Sequence, residues 1–126
     1  MDGQTTKGLR ILLLIYAIYS ALYGLLHVVS PELMKAKDPA IERVFGAAVL
    51  AFALGAGLAY FERVWKRVRI VVILHAAWMI LYTLTMAWGI LGGGIAVEAW
   101  APTIIGAILA ILLSIFYIRE RRIQAS

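Results

Sequence analysis

Two histidines and several tyrosines stand inside otherwise apolar runs of this chain, and they are the side chains with chemistry to offer. His27 follows Tyr16, Ser20, Tyr23 and Gly24 at spacings that put all five on one face of a helix. His75 leads a similar line with Trp78, Tyr82, Thr85 and Gly89. A third line holds Thr103, Gly106, Ala110, Ser114 and Tyr117. Imidazole can donate, accept or relay a proton, and it can ligate haem iron. Polar groups facing lipid are costly, so these lines are expected to face one another or a wet cavity. In the cavity reading, Tyr16, Tyr23, His27, His75 and Tyr82 line a site for a small lipid-like ligand such as a quinone. In the plainer reading the same hydroxyls tie helices together by hydrogen bonds.

A second group gathers near the end of the first run. Glu42 and Arg43 open the next run, and with His27 and Glu98 they make a candidate outer polar cluster. A carboxylate beside an imidazole can relay protons, and a solvated interfacial salt bridge would use the same residues. Glu98 also suits the N-terminal end of the last helix, where the helix dipole favours an acid. A haem shared by the two histidines is disfavoured. The first and third helices run parallel, and at ~1.5 Å rise per residue the two histidines differ in depth by roughly 15–20 Å. A haem held by one histidine, or shared between subunits, stays open as an alternative.

No catalytic constellation is legible. There is no paired intramembrane carboxylate, no nucleophile elbow and no cluster of metal ligands. Gly92-Gly93-Gly94 lacks the Lys-Ser/Thr that a phosphate loop needs and reads as a turn. The chain has no cysteine, which excludes disulfide exchange, thiolate metal sites and iron–sulfur clusters.

The elements that must position these side chains are membrane spans. Of 126 residues, 63% are hydrophobic and 15% charged, against about half and about a quarter in a soluble domain. Four apolar runs predict helices over roughly 8–29, 39–61, 68–91 and 100–118, each long enough to cross a bilayer. The expected fold is an all-α, four-helix transmembrane bundle, with residues 1–126 forming one integral membrane domain. Ser30-Pro31 stops the first helix, and Asp38-Pro39 opens the second. Small residues on the second helix, from Gly46 through Ala53 to Gly57, let backbones approach closely in lipid. The first run lacks a clear small-residue cleavage site and reads as retained.

The stretch Glu62–Arg69 is expected to be a basic turn between two hairpins. With Lys7, Arg10 and the tail Arg119-Glu120-Arg121-Arg122, it puts nine of the twelve Lys and Arg on one side. The first outer connection holds Lys35, Lys37 and Arg43, and the loop from Gly92 to Glu98 holds none. The positive-inside bias then predicts a multi-pass protein of the cell membrane with both termini cytoplasmic. The net charge of +5 is read as this topology signal and as attraction to anionic headgroups, not to nucleic acid. Trp65, Trp88, Trp100, Tyr60 and Tyr117 fall near the predicted interfaces, where such rings prefer to sit.

Roughly residues 9–69 carry a resemblance. The residues are Tyr23-Gly24-Leu25-Leu26 and Ser30-Pro31-Glu32, then Glu42-Arg43-Val44-Phe45-Gly46, Gly55-Ala56-Gly57 and Arg63. In these the chain resembles the DoxX-like group of small four-helix bacterial and archaeal membrane proteins. The resemblance implies a four-helix bundle and an association with respiratory or redox membrane systems, including quinone-linked oxidoreductases. The expected role is non-catalytic: accessory subunit of a larger membrane complex, or binder of a lipid-like ligand. The alternatives are a small transporter or channel working as a homo-oligomer, with Gly46, Ala53 and Gly57 at the subunit contact, and a haem-carrying membrane subunit. The layout also resembles that of small multidrug exporters. Those need a membrane-embedded acid in their first helix, and none lies between Arg10 and Ser30.

Overall fold

The computed structural model describes residues 3–34 and 37–126; Lys35, counted above in the first connection, lies outside them. The chain is all-helical, with α1 at Lys7–Val29, α2 at Pro39–Phe61, α3 at Trp65–Leu91 and α4 at Trp100–Ala125. Single 3-10 turns at Pro31–Met34 and Val97–Ala99 precede α2 and α4. All four helices are long and apolar enough to cross a membrane. The shortest are 23 residues, about 35 Å at ~1.5 Å per residue, against a hydrocarbon core of about 30 Å.

Local chemistry sets the helix ends. Asp38 is extended, and its side chain accepts hydrogen bonds from Ala40 N (3.0 Å) and Ile41 N (3.3 Å) while Pro39 takes the first helical position. At the other end of α3, Gly93 adopts a φ of 75°, a conformation glycine takes without a Cβ penalty. The turn is closed by Gly93 N–H on Ile90 O and Gly94 N–H on Gly89 O. Pro102 is accommodated in the first turn of α4, as expected.

Two boundaries depart from expectation. The basic stretch Glu62–Arg69 is a turn only over Glu62, Arg63 and Val64; α3 already begins at Trp65, three residues early. Likewise α4 runs seven residues beyond Ile118, to Ala125. The cause is the same in both places. Lys and Arg are good helix formers, so the end of an apolar run is not the end of a helix.

The chain falls into two compact units. Arg10–Arg63 is the hairpin of α1 and α2. Its helices meet at Gly24 and Gly46, where a Cβ on Gly46 would lie 2.7 Å from Gly24 O and one on Gly24 would lie 2.9 Å from Gly46 O. An arginine from the start of each helix serves the end of the other. Arg10 Nε donates to Tyr60 O in the last turn of α2, and Arg43 Nε donates to Val28 O in the last turn of α1. Those carbonyls have no partner within their own helix, and a cation there complements the helix dipole. Arg10 also lies over the Tyr60 ring, 5.1 Å from its centre.

Met1–Leu9 with Val64–Ser126 forms the other unit, in which α3 packs along α4. Val68, Val72, His75, Ala76, Met79 and Tyr82 form the buried line of α3. Thr85, placed on that line by sequence, is exposed instead. Trp65, expected at a membrane interface, is buried with its ring 5.6 Å from that of Tyr117, whereas Trp88 is 84% exposed. The N-terminal segment lies against the same end. Gln4 bridges to Val64, Gly3 O accepts from Trp65 N, and Gln4 O accepts from Gln124 Nε2.

Candidate functional site

The strongest polar arrangement is at the junction of α1 and α2. His27 sits in the last turn of α1 and is 3% exposed. Its Nδ1 lies 2.7 Å from Tyr23 O, one turn back, and its Nε2 lies 3.0 Å from Glu42 Oε1 in the first turn of α2. A backbone carbonyl only accepts, so Nδ1 carries a hydrogen. An ionised carboxylate also only accepts. The contact between Nε2 and Oε1 therefore needs a second proton, held on the imidazole or on the carboxyl. The His27–Glu42 pair is thus a proton-sharing site. Glu42 is its wet end, since its side chain is 25% exposed and that of His27 is 4% exposed.

Aromatic rings flank His27. The Tyr23 ring is edge-on to His27 at 4.3 Å, and Phe45 lies 5.1 Å from His27 and 6.4 Å from Tyr23. Tyr19 stacks on Tyr23 at 5.8 Å and 9°. The backbone makes this geometry available. Glu42 and Gly46 are one turn apart on α2, and a Cβ on Gly46 would lie 2.8 Å from His27 Cβ. The bare glycine lets the helices approach until imidazole and carboxylate meet.

Of the expected outer cluster, His27 and Glu42 come together. Arg43 turns to Val28 O at the end of α1. Glu98 belongs to the other unit, in the exposed 3-10 turn before α4. Tyr16 is fully buried on the His27 face of α1, with Ser20 buried one turn on. His75 repeats the first half of the His27 device, with Nδ1 2.7 Å from Val71 O, and is buried in α3. Tyr82 is packed rather than cavity-lining on its α4 side. A Cβ on Gly106 would fall 3.0 Å from Tyr82 Cδ1. Among the described residues no three His, Asp or Glu side chains group as a metal site. Both ring nitrogens of His27 are engaged, so ligating iron there would cost the pair.

Gly46 and Ala53, expected at a subunit contact, are buried within the single chain, and the bare backbone of Gly46 is used in the crossing of α1 and α2. Gly57 has open space around its Cβ position.

One functional-looking residue escaped the sequence reading. Glu120, taken as part of a water-side tail, has no exposed surface. Its Oε1 accepts from Thr6 N at 3.0 Å and from the Thr6 hydroxyl. The signal was present: 103, 106, 110, 113, 117 and 120 continue one helical stripe. It needed only α4 to continue past Ile118.

Neither a protein-family model, nor a curated protein, nor a solved structure matches the chain. The functional reading therefore stands on the geometry, and the His27–Glu42 pair with its ring wall is its centre.

Proposed function

We propose that this chain is a multi-pass protein of the cell membrane, a four-helix bundle with both termini cytoplasmic, that binds a small lipid-like ligand beside His27. Its role is non-catalytic, as a binder or as the ligand-holding accessory subunit of a larger membrane complex. Outward-facing Ile15, Ile18, Leu22, Leu54, Leu58, Ile70, Leu74 and Leu81 support the membrane setting. Large apolar side chains exposed in this number on each unit are rare on soluble monomers. The orientation is supported by charge. Lys7, Lys66, Arg67, Arg69, Arg119, Arg121 and Arg122 flank the end of their unit where Gly3, Trp65 and Gln124 meet.

The observation that carries the ligand reading is the 3.0 Å contact of His27 Nε2 with Glu42 Oε1, beside the rings of Tyr23 and Phe45. A flat head with ring oxygens could stack on the rings and exchange a hydrogen bond with the pair, while an isoprenoid or acyl tail follows the apolar flank. A quinone headgroup has that chemistry, and the DoxX-like resemblance is consistent with it.

The test is native mass spectrometry of protein purified in mild detergent with a short-tail ubiquinone or menaquinone analogue. Retention by wild type and its loss in His27→Ala and Glu42→Gln supports the reading. Equal retention in all three, or none in wild type, refutes the ligand site.

A further inference from the structure

The last three turns of α4 carry a surface where apolar and basic side chains meet. Ile115, Ile118, Arg119, Arg122 and Ile123 line a groove of about 340 Å³. Residues 115, 118, 119 and 122 recur at helical spacing, so two guanidinium groups stand one turn apart at the end of an isoleucine track. Arg119 lies over the Phe116 ring at 5.9 Å, which holds its charge against the helix. The acid between these arginines does not neutralise them. Glu120 points the other way, fully buried and bonded to Thr6. Among the described residues neither arginine has an acidic partner, so the groove presents positive charge where an apolar span ends.

We propose that this groove binds a phospholipid with a net-negative headgroup. Its phosphate sits between Arg119 and Arg122, and its first acyl methylenes lie on Ile115 and Ile118. A guanidinium pair matches the phosphate fork, and branched apolar side chains match the chain below it. Lipid is the occupant because charge and grease meet in the order a phospholipid has them, headgroup outside and acyl chain along the span. The site rests on the membrane setting proposed above and is independent of the ligand beside His27.

The experiment is native mass spectrometry of the full chain in mild detergent with equimolar phosphatidylglycerol and phosphatidylcholine of identical acyl chains. Wild type is expected to retain the anionic lipid about tenfold over the zwitterionic one, the scale of one strong charge-assisted contact. Arg119→Gln with Arg122→Gln is expected to bring the two lipids to parity. Arg63→Gln with Lys66→Gln removes the same charge elsewhere and is expected to keep the preference. Parity in wild type, or equal loss in both double variants, overturns the site. Should the Arg119/Arg122 variant not fold, competition on wild type still decides. Glycerol 3-phosphate in excess should not displace the lipid, and displacement by the headgroup alone overturns the acyl contact. Failure of the membrane setting itself would show differently, as protein that stays monodisperse without detergent.

Discussion

Glu120 and Thr6, 114 residues apart, together complete a capping box at the start of α1. Thr6 immediately precedes the helix, and its hydroxyl oxygen accepts from Leu9 N at 3.4 Å. The residue three on from a capping Thr would ordinarily be Glu or Gln, reaching back to the cap's own N–H. Here that residue is Leu9, which cannot. The carboxylate comes instead from the last helix, and it takes both the N–H and the hydroxyl of Thr6. A negative group at a helix N-terminus is favoured by the dipole as well.

Removing either partner should therefore cost more than a surface change. Glu120→Ala leaves the Thr6 N–H without its acceptor, about 1–3 kcal/mol. Thr6→Ala loses the cap, about 0.5–2 kcal/mol. The double variant should be less destabilised than the sum, because both single variants delete the bond from the Thr6 hydroxyl to Glu120. Thermal unfolding in detergent measures this, and strict additivity would show that the two residues act separately.

The crossing of α1 and α2 makes a paired prediction on two glycines of one helix. At Gly46 a new Cβ meets Gly24 O at 2.7 Å and His27 Cβ at 2.8 Å, while at Gly57 it meets nothing within 4 Å. Gly46→Ala should destabilise by about 1–3 kcal/mol through overpacking. Gly57→Ala should be neutral or stabilise by about 0.5–1 kcal/mol through helix propensity. Equal effects in the same unfolding assay would mean that the close approach at Gly46 does not exist in the membrane.

How much of this was legible in the sequence follows from what each signal measures. Span number and the α1 and α2 ends were readable, because hydropathy reports solvent and Asp38-Pro39 reports backbone chemistry. The His27 face was readable too, since helical spacing fixes which side chains share a face. Partner choice was not. Nothing local says that Glu42, rather than Arg43, turns to His27, since that depends on which side of α2 meets Gly24. Glu120 was missed for a related reason. A run of Arg-Glu-Arg-Arg reads as solvated until the helix is carried far enough to show that its acid faces inward.

The absence of any cysteine from the sequence gives a clean topology test. Single cysteines at Ser126 and Lys66 should react with an impermeant maleimide from the same side of a sealed membrane, and one at Gly94 from the opposite side. Gly94 is preferred to Gly93 because its φ is not positive and a Cβ there meets only Gly89 O, at 3.7 Å. Labelling of Ser126 and Gly94 from one side would contradict a membrane crossing by α4.

The proton between His27 and Glu42 can be observed directly. With Nδ1–H fixed on Tyr23 O, the pair has one mobile proton, between Nε2 and Oε1. Nitrogen-15 spectra of labelled histidine should show Nδ1 protonated in wild type and Nε2 hydrogen-bonded to the Glu42 carboxyl group. Glu42→Gln offers an amide N–H to the bare Nε2 and removes the acid. Nδ1–H should stay on Tyr23 O, and the fold is kept because the Nε2 contact remains satisfied. His27→Ala removes the ring and leaves Glu42 without its partner, so it should lower stability where Glu42→Gln does not. Finding the opposite tautomer in wild type, with a bare Nδ1, would remove the second proton from the site. With it would go the reason for expecting a ligand that exchanges a hydrogen bond there.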